Sequence, residues 1–158
     1  MKKRPIPIFF FLVLSLVLAA CQQEPERDKS KNQEDIPSSA KGITIQLKKE
    51  EYTPKDMDMI LTLRNDSKTA FSYGKDYLLE KNVNGTWYEI SLKEGMGFTQ
   101  MEYNLSPAQT ASETVSLDIF NEELSTGNYR IIKEFREADK EYRPENQTLI
   151  ATPFEVVE

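Results

Sequence analysis

Leu124-Ser125-Thr126-Gly127-Asn128-Tyr129-Arg130-Ile131 reads as a tight turn that feeds directly into a strand. Gly127 gives the turn its backbone freedom, because a residue without Cβ enters conformations closed to the others. Tyr129, two residues on, is placed to bury its ring while its hydroxyl satisfies a main-chain group. The sequence on either side of this turn is strand-like in its turn.

Upstream, Ile43, Ile45 and Leu47 alternate with Thr44, Gln46 and Lys48, and Met57, Met59, Leu61 and Leu63 alternate with Asp58, Ile60, Thr62 and Arg64. A period of two predicts strands with one buried face. Glu51 to Asp56, with Pro54 inside it, carries turn chemistry, as does Asn65-Asp66-Ser67. Phe71 to Tyr73 and Tyr77 to Lys81 are extended, and Asn84-Gly85 ahead of Thr86-Trp87-Tyr88-Glu89-Ile90 is a hairpin signal, since a type I′ turn needs positive φ at both central residues. Leu92 to Asn104 fits no period; Gly95 and Gly97 flank Met96, and Phe98, Met101 and Tyr103 are available for packing or for an apolar contact surface. Thr114 to Ile119 alternates, Asn128 to Phe135 is rich in β-formers, and Thr148 to Val157 closes the series with Pro153, which implies an edge or a bulge. About eight short strands without an amphipathic helix predict an all-β, antiparallel sandwich. Residues 43–158 suffice for one core and are too few for two.

The Leu124-x-x-Gly127-x-Tyr129 spacing resembles the tyrosine corner of immunoglobulin-like sandwiches, in which a Tyr at the start of a strand bonds back to the preceding turn. Taken with Asn84-Gly85-Thr86-Trp87 and Thr152-Pro153-Phe154-Glu155-Val156, the segment is similar to the bacterial Ig-like domains found on lipoproteins and surface proteins of Gram-positive bacilli. The resemblance implies an Ig-like antiparallel sandwich of about seven or eight strands, with Leu124, Gly127 and Tyr129 as a structural corner. It implies no activity, because fold does not fix function. The sequence departs from antibody-type domains in having no cysteine pair, and Trp87 follows a hairpin turn.

The amino terminus has a different character. Lys2, Lys3 and Arg4 precede an apolar run from Ile8 to Leu18, which ends in Leu18-Ala19-Ala20-Cys21. This is the pattern of a secretory signal, too short and too interrupted for a confident membrane span. Leu18, Ala19, Ala20 and Cys21 resemble the lipobox of bacterial lipoproteins. The resemblance implies cleavage after residue 20, a diacylglycerol on the Cys21 thiol, and anchorage on the extracytoplasmic face of the cell membrane. Residues 21–42, rich in Gln, Glu, Lys, Asp and Ser, have too little apolar surface to order themselves and are expected to form a disordered tether.

Composition narrows the chemistry. All 26 acidic residues follow Cys21 and three of the 20 basic ones precede it, which leaves 17 against 26, a formal charge of −9. With no basic block beyond the leader, nucleic acid is excluded as a partner. Histidine is absent and the single thiol is assigned to lipid, which removes the commonest general bases, nucleophiles and transition-metal ligands. No Gly-x-Ser-x-Gly elbow is present. Asp56 and Asp58, two apart on a strand, would share a face, but calcium takes six to eight oxygens and Asp-Met-Asp supplies few. No catalytic residue, metal or cofactor is therefore expected. The leading expectation is a non-catalytic envelope module with a protein or wall component as partner; capture of a small ligand or calcium at the loop end is the alternative, and a carboxylate-dependent hydrolase is the third.

Overall fold

A computed structural model describes residues 27–158. The leader, together with Leu18, Ala19, Ala20 and Cys21, lies outside the described residues. The strands are β1 (Asp28–Lys29), β2 (Ser39–Ala40), β3 (Ile43–Leu47), β4 (Glu51–Tyr52), β5 (Asp58–Asn65), β6 (Phe71–Tyr73), β7 (Leu78–Val83), β8 (Thr86–Glu89), β9 (Tyr103–Leu105), β10 (Thr110–Ser116), β11 (Gly127–Glu137) and β12 (Gln147–Val156). Among the described residues the only helical element is a 3-10 turn at Pro144–Asn146.

Two sheets face each other. One runs β1-β8-β7-β11-β12-β4, with β6 beside β11 and β9 beside β6; the other runs β10-β5-β3-β2. Strand alternation sorts the side chains: Met59, Leu61 and Leu63 of β5 point inward, while Asp58, Ile60 and Arg64 point out. Met57, expected on the buried face, precedes the strand and is exposed. Against Ile43, Ile45, Leu61 and Leu63 pack Tyr129, Ile131, Phe135 and Phe154 of the facing sheet, and these residues form the middle of one core. The spine is β11, paired along ten residues with β12 on one side and with β7 and then β6 on the other. Asn84 and Gly85 join β7 to β8 with φ values of +52° and +84°, as a type I′ turn demands.

Two expectations are corrected. The sandwich is not wholly antiparallel, because β12 pairs with β4 in parallel through Glu155↔Glu51 and Val156↔Tyr52. The chain reaches β4 just after β3 and turns back only at Thr53–Asp56, where the Asp56 N–H meets the Thr53 carbonyl, so β4 keeps the heading of β3. Nor are residues 27–42 a free tether. They form a strap: β1 pairs with β8, the Pro37 carbonyl accepts from Ala151 N–H, the Ser38 carbonyl accepts from Ile45 N–H, and β2 pairs with β3. Its attachment is made by main-chain and polar groups, and a hydrophobicity pattern carries no trace of that.

Candidate functional site

Leu124, Gly127 and Tyr129 come together at one end of the sandwich. Gly127 has φ +139°, which L side chains rarely adopt, and Leu124 is buried. The Tyr129 hydroxyl donates to the Ser125 carbonyl at 2.7 Å and accepts from the Ser125 N–H at 3.1 Å. Its ring stacks on Phe154 with centroids 5.3 Å apart, and Lys81 Nζ, bound to Ser125 Oγ at 2.6 Å, lies over it. The Tyr129 hydroxyl and the main-chain and hydroxyl groups of Ser125 are all committed to holding the turn.

A second cluster lies on the outer face of the larger sheet, beneath the strap. Arg130 and Glu80 are cross-strand neighbours, with Arg130 Nε donating to Glu80 Oε2 at 2.7 Å and side chains 4% and 0% exposed. Burying such a pair is costly unless its remaining groups are hydrogen-bonded. The strap does this: Ser30 Oγ donates to Glu80 Oε1, Arg130 Nη1 donates to the Glu34 carbonyl at 2.9 Å, and Arg130 Nη2 to the Asn32 carbonyl. The guanidinium also sits 4.1 Å from the centre of the Trp87 ring, a cation–π contact. Gln33 then acts as a strand residue made from a side chain, since its amide donates to the Trp87 carbonyl at 2.8 Å and accepts from the Trp87 N–H at 3.1 Å. Sequence reasoning missed this cluster, because Arg130 and Glu80 occupy outward strand positions that normally face water.

A third cluster bridges the sheets internally. Lys133 of β11 donates to Glu113 Oε2 of β10 at 2.9 Å and to the carbonyls of Gly74 and Asp76 at 2.7 and 3.1 Å. Lys75 takes the other Glu113 oxygen at 2.7 Å. Burial lowers the Lys133 pKa and Glu113 opposes that effect. All three ammonium protons are used in hydrogen bonds within the sandwich.

An open groove of about 950 Å³ runs between β3 and β12, where Trp87, Tyr129 and Phe154 meet Asn82, Asn128 and Thr152. It lies along the side of the sandwich rather than at the loop end. Pro153 lines it at the point where β12 lacks a second neighbour, between the Ala151–Pro37 hydrogen bond and the β4 pairing.

Asp56 and Asp58 are held apart by different partners. Asp56 accepts from the Thr53 N–H at 2.7 Å and from Thr53 Oγ1 at 3.0 Å, and the first of these bonds does most to lower its pKa. Asp58 accepts from Ser116 Oγ at 2.8 Å. Among the described residues no group of three or more acidic, His or Cys side chains is arranged to hold a metal ion. The loop containing Met96 divides: Phe98 packs on Tyr77 and Tyr103 on Tyr73, while Met96 and Met101 stay exposed.

Among solved structures, a β-glucosidase from Erythrobacter marinus aligns with 73% of this chain and 15% of its own length, at 16% identity and a TM-score of 0.40. The chain thus spans about a seventh of that structure. No curated protein matches the sequence. The sequence model of the bacterial Ig-like domain family matches residues 39–150, most of the sandwich, and the chain belongs to that family.

Proposed function

We propose that this protein is a lipid-anchored, extracytoplasmic Ig-like module that binds or supports another component of the bacterial envelope and has no catalytic activity. The observation that carries this reading is the tetrapeptide Leu18-Ala19-Ala20-Cys21, which closes an apolar leader directly ahead of a single Ig-like domain. Two acyl chains on one residue hold a protein far more firmly than one. With residues 27–42 docked, only five residues separate Cys21 from Arg27, a reach of about 20 Å at full extension over the six Cα–Cα steps. The module would sit against the membrane surface, and its partner would be another membrane-proximal protein or wall polymer.

The absence of histidine and the committed protons of Lys133 support a binding role over catalysis. Labelling cells with a fatty-acid analogue tests the anchor. The wild-type protein should take up label and fractionate with membranes, and a Cys21→Ser form that does both would overturn the assignment. Crosslinking on intact cells would then identify the partner. The groove beside Trp87 and Tyr129 favours a second reading, capture of a small ligand, for which aromatic faces and side-chain amides are suitable contacts. A ligand of that kind would change Trp87 fluorescence on titration, and a Trp87→Phe variant would lose the signal.

A further inference from the structure

Among the described residues, the long strand edges are covered with one exception. Strand β8 is covered by β1 and the Gln33 amide, β12 by β4 and the Pro37 carbonyl, and β3 by β2 and Ser38. The exception is β10, seven residues paired only with β5 in an unbroken register. Hydrogen bonds at its two ends, Asn65 N–H to the Gln109 carbonyl and Leu117 N–H to the Met57 carbonyl, fix the odd-numbered positions as the ones facing β5. The main chains of Thr110, Ser112, Thr114 and Ser116 therefore face outward. The Tyr77 hydroxyl occupies both groups of Ser116, and those of the other three have no partner among the described residues. The strand contains no Lys, Pro or bulge to guard its edge, and its one inward charge, Glu113, is paired with Lys133 and Lys75.

We propose that β10 is a dimer edge, and that its occupant is β10 of a second copy of this chain. Copies bearing −9 beyond Cys21 repel over most of their surface, but here the outward side chains are Thr and Ser, and Glu113 turns inward onto Lys133 and Lys75. A two-fold axis at Ser112 pairs Ser112 with itself and Thr110 with Thr114 of the second copy. All three open residues are used, about six main-chain hydrogen bonds form, and the Tyr77 caps stay intact. Ala111 falls opposite Glu113 of the second copy, so no like charges meet. An axis at Glu113 would instead oppose two glutamates and drive Thr110 against the capped Ser116. The product is one antiparallel sheet with four strands from each copy.

Cysteine crosslinking of the full chain on intact cells tests the edge and its register together. Residues in a hydrogen-bonded antiparallel pair have Cα atoms about 5.5 Å apart, within the range a disulfide spans. Ser112→Cys should give a dimer band several-fold above the unsubstituted chain, whose only cysteine is Cys21. Thr110→Cys and Thr114→Cys should crosslink to each other when co-produced and barely at all alone. Ser112→Pro, which removes an outward N–H and leaves the β5 pairing untouched, should abolish that crosslink with the thermal unfolding transition preserved. A Ser112→Cys band no stronger than background overturns the proposal. So does equal crosslinking from Thr62→Cys on the face of β5, or a crosslink that survives the proline in a folded chain.

Discussion

The hydroxyl of Tyr77 closes on the main chain of Ser116, 39 residues away, accepting from its N–H at 3.0 Å and donating to its carbonyl at 2.9 Å. Tyr129 does the same to Ser125 across four residues. At Ser116 the phenol stands in for a missing strand neighbour, at Ser125 it pins a loop, and both rings are rooted in the core. The domain thus fastens two of its loop ends with the same device, one local in sequence and one remote.

The Tyr77 contact sets an alkaline limit. Donation to the Ser116 carbonyl requires the phenolic proton, and burial, above all, raises the Tyr77 pKa from 10.0 to about 12. The unfolded chain loses this proton first. Tyr77 therefore contributes stability that is complete below pH 10 and is lost as pH rises through about 12. Denaturant midpoints measured across that window should fall more steeply for the wild type than for Tyr77→Phe, which is less stable at neutral pH. Parallel slopes would show that the hydroxyl titrates as it does in water.

At the corner, Tyr129→Phe should cost about 1 kcal/mol, the worth of a buried hydrogen bond whose partner groups can turn to solvent. Gly127→Ala should cost more, of order 1–3 kcal/mol, because alanine does not hold φ +139° without strain and its Cβ would press on Lys81 Cε at 3.3 Å. Urea unfolding of both variants gives the comparison. An alanine variant as stable as the wild type would mean that the corner tolerates another backbone path.

The fold was legible where inside and outside alternate, as in Ile43 to Leu47 and Met59 to Leu63, and where a turn has obligatory chemistry, as in Asn84-Gly85. The Tyr129 corner was legible because Leu124, Gly127 and Tyr129 lie within one short segment. Tyr77 was not, since nothing near it in sequence announces Ser116. The strap from Arg27 to Gly42 was missed for a related reason. Its composition forecasts disorder when burial of apolar surface is the only source of order considered, yet it is fixed by carbonyls that accept from Arg130 and by an amide laid against Trp87. A buried ion pair on an outward strand position is visible only once a covering segment is known. The open edge of β10 likewise depends on which strands fail to pair, a property of topology.

The Arg130–Glu80 pair should separate domain stability from strap attachment. Arg130→Met leaves the Glu80 carboxylate buried without its partner, which should cost about 3–5 kcal/mol, whereas adding Glu80→Leu removes the stranded charge and should restore much of that loss. The double variant loses the Arg130 donors to the Asn32 and Glu34 carbonyls and the Glu80 acceptor of Ser30 Oγ. Its core should therefore stay folded while the strap opens, and trypsin should cut after the exposed Lys29 and Lys31 faster than in the wild type. Mass analysis of the early fragments reads the strap, and the denaturant midpoint reads the domain. If the double variant keeps wild-type protection at both lysines, then β1 pairing and the Gln33–Trp87 contacts hold the strap by themselves and Arg130 is not its clamp.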